Sequence, residues 1–140
     1  MNKNIKHKQK SRLLIVNNFE VLVLVKKGSK KRFGLVGGFL KKHETPEKAI
    51  IRETLEEVGV ALDYYDLQYI STTNMIYKNE YKLTKHYFLL KNIKNTFSVC
   101  EPHKFKGLEW VNWAKACDYL GPSDKNALER FFAIQKGSIN

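Results

Sequence analysis

Cysteine is nearly absent: Cys100 and Cys117 are the only two in 140 residues, too few for a disulfide framework and not spaced as metal ligands. No apolar run approaches the roughly 20 residues that cross a bilayer, so no membrane partner is expected. The run 13–16 is also shorter than the ~7–15-residue core of a secretion signal, and the expected location is cytoplasmic. Proline occurs three times, and no linker, repeat or low-complexity segment interrupts the chain. Arginine is scarce, with 4 residues against 21 lysines. Proteins that read base edges rely on arginine forks, so this balance argues against sequence readout. It fits a general attraction for polyanions such as nucleotide phosphates or an RNA 5′ end, or simply a solvated lysine-rich surface.

What is present is a strongly basic, ordinary globular composition. The formal net charge is +11, with 43% hydrophobic and 12% aromatic residues. The length suits one domain that buries roughly 68–70% of its unfolded surface. Residues 1–10 read as a basic tail and 11–140 as a single domain.

The apolar runs 12–16 and 21–25, separated by Asn17-Asn18, read as a hairpin. A third strand at 33–36 ends at Gly37-Gly38. Thr45 is a good N-cap, Pro46 suits the first helical position, and Gly59 supplies the stop. Strands are expected at 67–77 and 81–91, with a turn at 78–80, and at 107–112. A closing helix opens at Pro122-Ser123-Asp124 and carries Leu128, Phe131, Phe132 and Ile134. The order β-β-β-α-β-β-β-α predicts an α/β fold, a mixed β-sheet between helices.

The densest chemical signal is Gly38-x5-Glu44-x7-Arg52-Glu53-x2-Glu56-Glu57-x-Gly59. Helical periodicity groups Ile51, Thr54, Leu55 and Val58 on the side expected to be buried. Glu53, Glu56 and Glu57 then lie nearly opposite, around Ala49, where like charges three and four residues apart repel. A hard divalent cation with oxygen ligands would reverse the sign of that interaction. An acidic stripe alone is what many surface helices show. Seven fixed positions, however, match by chance on the order of 10⁻⁸ per starting point.

The stretch GFLKKHETPEKAIIRETLEEVGV, residues 38–60, closely resembles the signature of the Nudix hydrolases. Thr54 is its one departure, standing where that signature has a bulky aliphatic residue. The resemblance implies an α/β/α sandwich and metal-dependent hydrolysis of a nucleoside diphosphate linked to another moiety, with Mg2+ or Mn2+. It implies that Glu53, Glu56, Glu57 and the Gly38 carbonyl bind metal. Glu53 or a neighbour would deprotonate water, Arg52 would hold Glu53, and Glu44 would support the loop or the water.

Within the family, Glu44-Thr45-Pro46-Glu47 is most similar to the MutT-like nucleoside triphosphate pyrophosphohydrolases. Gly37 and Lys41 are candidate substrate contacts. Asp124 falls where some MutT-like members read the base, although a helix N-cap is the simpler account of it. Glu101 is the one acid near the expected position of a further metal ligand. Tyr77 fits the spacing of a tyrosine that often marks dinucleoside polyphosphate hydrolases. The alternatives are therefore hydrolysis of dinucleoside polyphosphates or of RNA 5′-triphosphate ends, or a non-catalytic nucleotide- or RNA-binding Nudix protein.

Overall fold

Buried apolar residues on both faces of the central strands set the architecture. In the computed structural model, which describes residues 5–94 and 96–138, Leu13, Leu14 and Ile15 are all fully buried. Such a run belongs inside a sheet covered on both sides. The first strand, β1 (Lys6–Leu14), lies between β5 (Val36–Phe39), antiparallel to it, and β7 (Tyr81–Leu90), parallel to it. β6 (Leu67–Tyr77) completes this mixed sheet in the order β5-β1-β7-β6. A second four-stranded sheet, wholly antiparallel, contains β2 (Val16–Asn17), β3 (Glu20–Lys26), β4 (Phe33–Gly34) and β8 (Phe105–Asn112).

Two sequence expectations change here. The strand starts at Lys6, so residues 6–10 of the stretch read as a tail are ladder rather than tail. Their polar character masked this, because the pairing that holds them is with strands far along the chain. The expected hairpin also shrinks to Val16↔Val21 and Asn17↔Glu20. Residues 12–14 instead pair with β5 and β7 in the other sheet.

Helix α1 (Pro46–Val58) follows the sequence expectation closely. Thr45 accepts a hydrogen bond from the Lys48 N–H at 3.1 Å, and Gly59 (φ 74°) closes the helix by donating to the Leu55 carbonyl. On one side of the strands Leu13, Ile15, Leu22, Leu24, Val36 and Phe88 pack against Ile50 and Val58 of α1. On the other, Leu14, Val21, Val23 and Tyr87 pack against α2 (Trp113–Cys117) and α3 (Pro122–Ser138). Adjacent residues of one strand serve opposite cores, as the period of two requires. Helices thus cover both sides, and the expected α/β/α layering holds.

Candidate active site

The loop before α1 is shaped by two glycines that let the backbone lie against carboxylates. Gly37 has φ 138°, a region side chains avoid, and a Cβ there would collide with the Ser11 carbonyl oxygen. In that conformation its N–H donates to Glu57 Oε1 at 2.8 Å. A Cβ on Gly38 would overlap the Glu53 carboxylate, with Oε2 the nearest atom. The backbone of β5 and the acids of α1 are therefore in direct register.

Arg52 organises the remaining acids. Its Nε and Nη2 donate to the two oxygens of Glu44 at 2.8 and 3.0 Å, a bidentate fork. Nη1 donates to Glu53 Oε1 at 2.8 Å and Glu56 Oε1 at 3.1 Å, while Nη2 also reaches the Phe39 carbonyl. The hydrogen bond from Arg52 holds the Glu44 carboxyl below its usual range, and in return Glu44 raises the Arg52 guanidinium further. Glu44 also accepts from the Lys41 N–H, which closes the loop on itself.

The acidic face differs from the helical-wheel expectation. Leu55 is 53% exposed, whereas Glu57 is only 4% exposed. The cause is the Gly37–Gly38 strand, which packs over the α1 face bearing Glu57. Burial pushes the Glu57 carboxyl up to about 7, the Gly37 N–H pulling it down and Glu53 adding to the rise. Thr54 is fully buried, and its hydroxyl donates to the Ile50 carbonyl at 2.6 Å, so the departure from the aliphatic pattern is absorbed inside the helix.

Among the described residues, no group of three or more His, Cys, Asp or Glu side chains is placed to hold a metal ion. Arg52 draws oxygens of Glu53 and Glu56 to itself, and Glu56 stands on the exposed rim. The donor set nevertheless fits a hard divalent cation. The buried Glu57 carboxylate and the Glu53 carboxylate each lie against the Gly37–Gly38 backbone, and Mg2+ takes such oxygen donors. A cation such as Mg2+ takes one or two carboxylates and leaves the remaining positions to water and phosphate.

Gly37, Gly38, Lys41, Arg52, Glu53 and Glu57 line a cleft of about 430 Å³, whereas Glu44 and Glu56 do not line it. Lys10, Arg12, Lys26 and Lys104 line the same cleft. Tyr77 and Asp124 do not line it. Tyr77 stacks on Tyr81 at the tip of the β6–β7 hairpin. Asp124 is buried inside the first turn of α3 rather than at its N-cap. It accepts from the Tyr87 hydroxyl at 2.7 Å and Lys85 Nζ at 3.1 Å, and its other oxygen lies 3.6 Å from Arg12 Nε. Glu101 pairs with Lys104 at 3.4 Å.

The sequence reading singled out none of Lys10, Arg12, Lys26 and Lys85 as a site residue. A signal was available: Lys6, Lys8, Lys10 and Arg12 alternate with period two, a cationic stripe along one face of a strand. Arg12 donates to the Gly37 carbonyl at 2.8 Å and so ties β1 to the glycine turn.

No curated protein matches the chain. Solved structures share its fold. The MutT protein from Methanosarcina mazei Go1 superposes with a TM-score of 0.77 at 19% identity, over 96% of this chain and 99% of that one. The MutT Nudix hydrolase from Burkholderia pseudomallei gives 0.72 at 24% identity, over 89% and 97%. A C. elegans Ap4A hydrolase binary complex gives 0.67 at 18% identity, over 91% and 98%. The model of the NUDIX domain matches residues 7–131, nearly the whole chain, and it is to the NUDIX family that this protein belongs.

Proposed function

We propose that this Nudix hydrolase cleaves a phosphoric anhydride bond in a nucleoside diphosphate linked to another moiety, most concretely a nucleoside triphosphate to the monophosphate and pyrophosphate. The observation that carries the reading is the joint placement of Glu53, Glu57 and the Gly37–Gly38 backbone at one cleft, with Arg52 clamping Glu44, Glu53 and Glu56 behind them. Glu53, Glu56, Glu57 and the Gly38 carbonyl would hold Mg2+ or Mn2+. The bound ion would neutralise charge on the phosphoryl oxygens and make water more acidic.

The chain's own groups do the rest. Arg52 fixes Glu53 through Oε1, which leaves Oε2 beside Gly38 as the oxygen that takes a proton from water. The water oxygen bonds to one phosphorus as the bridging P–O bond breaks, and the bond's electron pair leaves with the departing phosphate. Lys41 and Lys10 supply positive charge along the cleft for the substrate oxygens. Charge stabilisation and positioning are most of what phosphoryl transfer asks of a protein.

A second reading is hydrolysis of dinucleoside polyphosphates or of RNA 5′-triphosphate ends. It is favoured by the lysine-lined wall and by the fold shared with the Ap4A hydrolase. The deciding experiment incubates the purified protein with nucleoside triphosphates, dinucleoside polyphosphates and triphosphate-ended RNA. Mg2+ or Mn2+ is supplied, and phosphate release is read against pyrophosphate release. The first reading expects pyrophosphate from single nucleotides. No turnover of any substrate with either metal would overturn both.

A further inference from the structure

One acid of the signature is not held by Arg52. That guanidinium donates to Glu44, Glu53 and Glu56 but makes no hydrogen bond to Glu57. Among the described residues, the Glu57 carboxylate has a single hydrogen-bond donor, the Gly37 N–H at 2.8 Å. The direction of the carboxylate therefore depends on one peptide unit, the one joining Val36 to Gly37. Glycine restricts its own backbone least, and two glycines follow each other here. β5 is also the edge strand of its sheet, paired with β1 alone. Local chain stiffness does not fix this peptide.

Arg12 does. Its Nη1 donates to the Gly37 carbonyl at 2.8 Å and to the Leu35 carbonyl at 3.3 Å. Those carbonyls belong to the peptide units on either side of the one that joins Val36 to Gly37. A single guanidinium nitrogen thus brackets the N–H that meets Glu57, through charge-assisted bonds stronger than neutral ones. Arg12 is itself held from behind. Its buried Nε lies 3.6 Å from Asp124 Oδ2, close enough for Coulombic attraction and too far for a hydrogen bond. Asp124 is fixed in turn by the Tyr87 hydroxyl and by Lys85, whose Nζ also donates to Ser123 Oγ at 2.7 Å. A continuous polar path runs from the first turn of α3 through Arg12 and Gly37 to Glu57 of α1.

We propose that Arg12 is the positioning residue for Glu57, acting through the Gly37 peptide. Two arginines then divide the acids between them. Arg52 holds Glu44, Glu53 and Glu56 directly, and Arg12 holds Glu57 by way of the backbone. With Glu57 Oε1 bound to Gly37, Oε2 is the oxygen left for a cation. The inference rests on the reading of Glu57 as a metal ligand.

Arg12 also lines the cleft, so direct contact with the substrate is the rival account, and the test separates the two. Arg12→Met removes the donor at similar length, and Arg12→Lys restores a cationic donor. Mn2+ affinity, read by electron paramagnetic resonance without nucleotide, is expected to fall roughly 10- to 100-fold in Arg12→Met, the usual effect of losing a group that orients a metal ligand. Arg12→Lys should recover much of it. The Mg2+ concentration for half-maximal rate should rise with the loss of affinity, while the nucleotide KM at saturating Mg2+ stays near the parent value. Hydrogen exchange followed by NMR should show the Gly37 amide losing about 10-fold or more in protection, the scale of a charge-assisted bond, while buried amides of β3 and β7 keep theirs. Should Arg12→Met not fold, Arg12→Met combined with Asp124→Asn is measured in its place, because it buries no anion deprived of its arginine. Unchanged Mn2+ affinity with a raised nucleotide KM overturns the inference, since Arg12 would then serve the substrate directly. Protection lost equally at Gly37 and throughout the sheet also overturns it, since Arg12 would then only support the fold. The exchange measurement needs neither metal nor substrate, which keeps it distinct from failure of the hydrolase reading. Unchanged Gly37 protection in the variant overturns the inference whatever turnover is found.

Discussion

Glu57 combines burial with a single strong hydrogen-bond donor, the Gly37 N–H, and a glutamine in its place keeps both the shape and that contact. Glu57→Gln is therefore expected to fold normally yet lose about 10²–10⁴ in turnover, the scale of an essential charge or acid–base element. Steady-state kinetics beside circular dichroism check this, and a near-normal rate would contradict the assigned role. Asp124 gives a different test. Burial alone would raise its carboxyl, but Arg12, Lys85 and the Tyr87 hydroxyl outweigh burial and hold it below the usual range. A depressed carboxylate contributes stability above its unfolded value of about 3.9, and that contribution fades as pH falls through the lower folded value. Asp124→Asn strands buried cations and should cost about 3–5 kcal/mol at pH 7. Urea denaturation should show this gap shrinking as pH falls below about 4. A gap independent of pH would mean that the ion pairs contribute little.

At the scale of elements, the first strand changes most from the sequence expectation. Residues 6–10 are polar on both faces, yet they bridge two strands that lie far along the chain. Lys6–Lys10 pair with Tyr81–Lys85, and the Gln9 carbonyl accepts from the Leu40 N–H in the loop that leads to Glu44. Deleting residues 1–10 should therefore lower the melting temperature and the turnover together, because it uncovers the edges of β5 and β7 and frees the loop. Unchanged melting and activity would restore the view of these residues as a tail. The signature helix, by contrast, was legible from Thr45 to Gly59. Its caps depend only on neighbours within a few residues, and β6 and β7 pair directly across the short turn that joins them. The burial of Glu57 and the exposure of Leu55 were not legible, since the wheel cannot tell which neighbouring strand will cover which side.

For the whole molecule the formal net charge of +11 matters most through the substrate. Long-range attraction for a polyphosphate is screened over about 8 Å at physiological salt, and over about 3 Å at 1 M. The KM for a nucleotide is expected to rise steeply with potassium chloride, while kcat, set by the partly enclosed site, changes little. Kinetics across a salt series measure the two separately, and a salt-independent KM would show that the surface lysines do not steer the ligand.

The sequence by itself determined the family, the signature helix with its caps and the identity of the acids, because each rests on local spacing or on residue type. Only the tertiary structure decided that Arg52 binds three glutamates and that Glu57 is sealed under a glycine strand. It also brought Lys10, Arg12 and Lys26 to the cleft, with Lys85 paired beside Lys10. Those groups come from strands as much as 75 residues apart (85 − 10, Lys85 and Lys10), and pairing over that distance is fixed by sheet register, which no local pattern records.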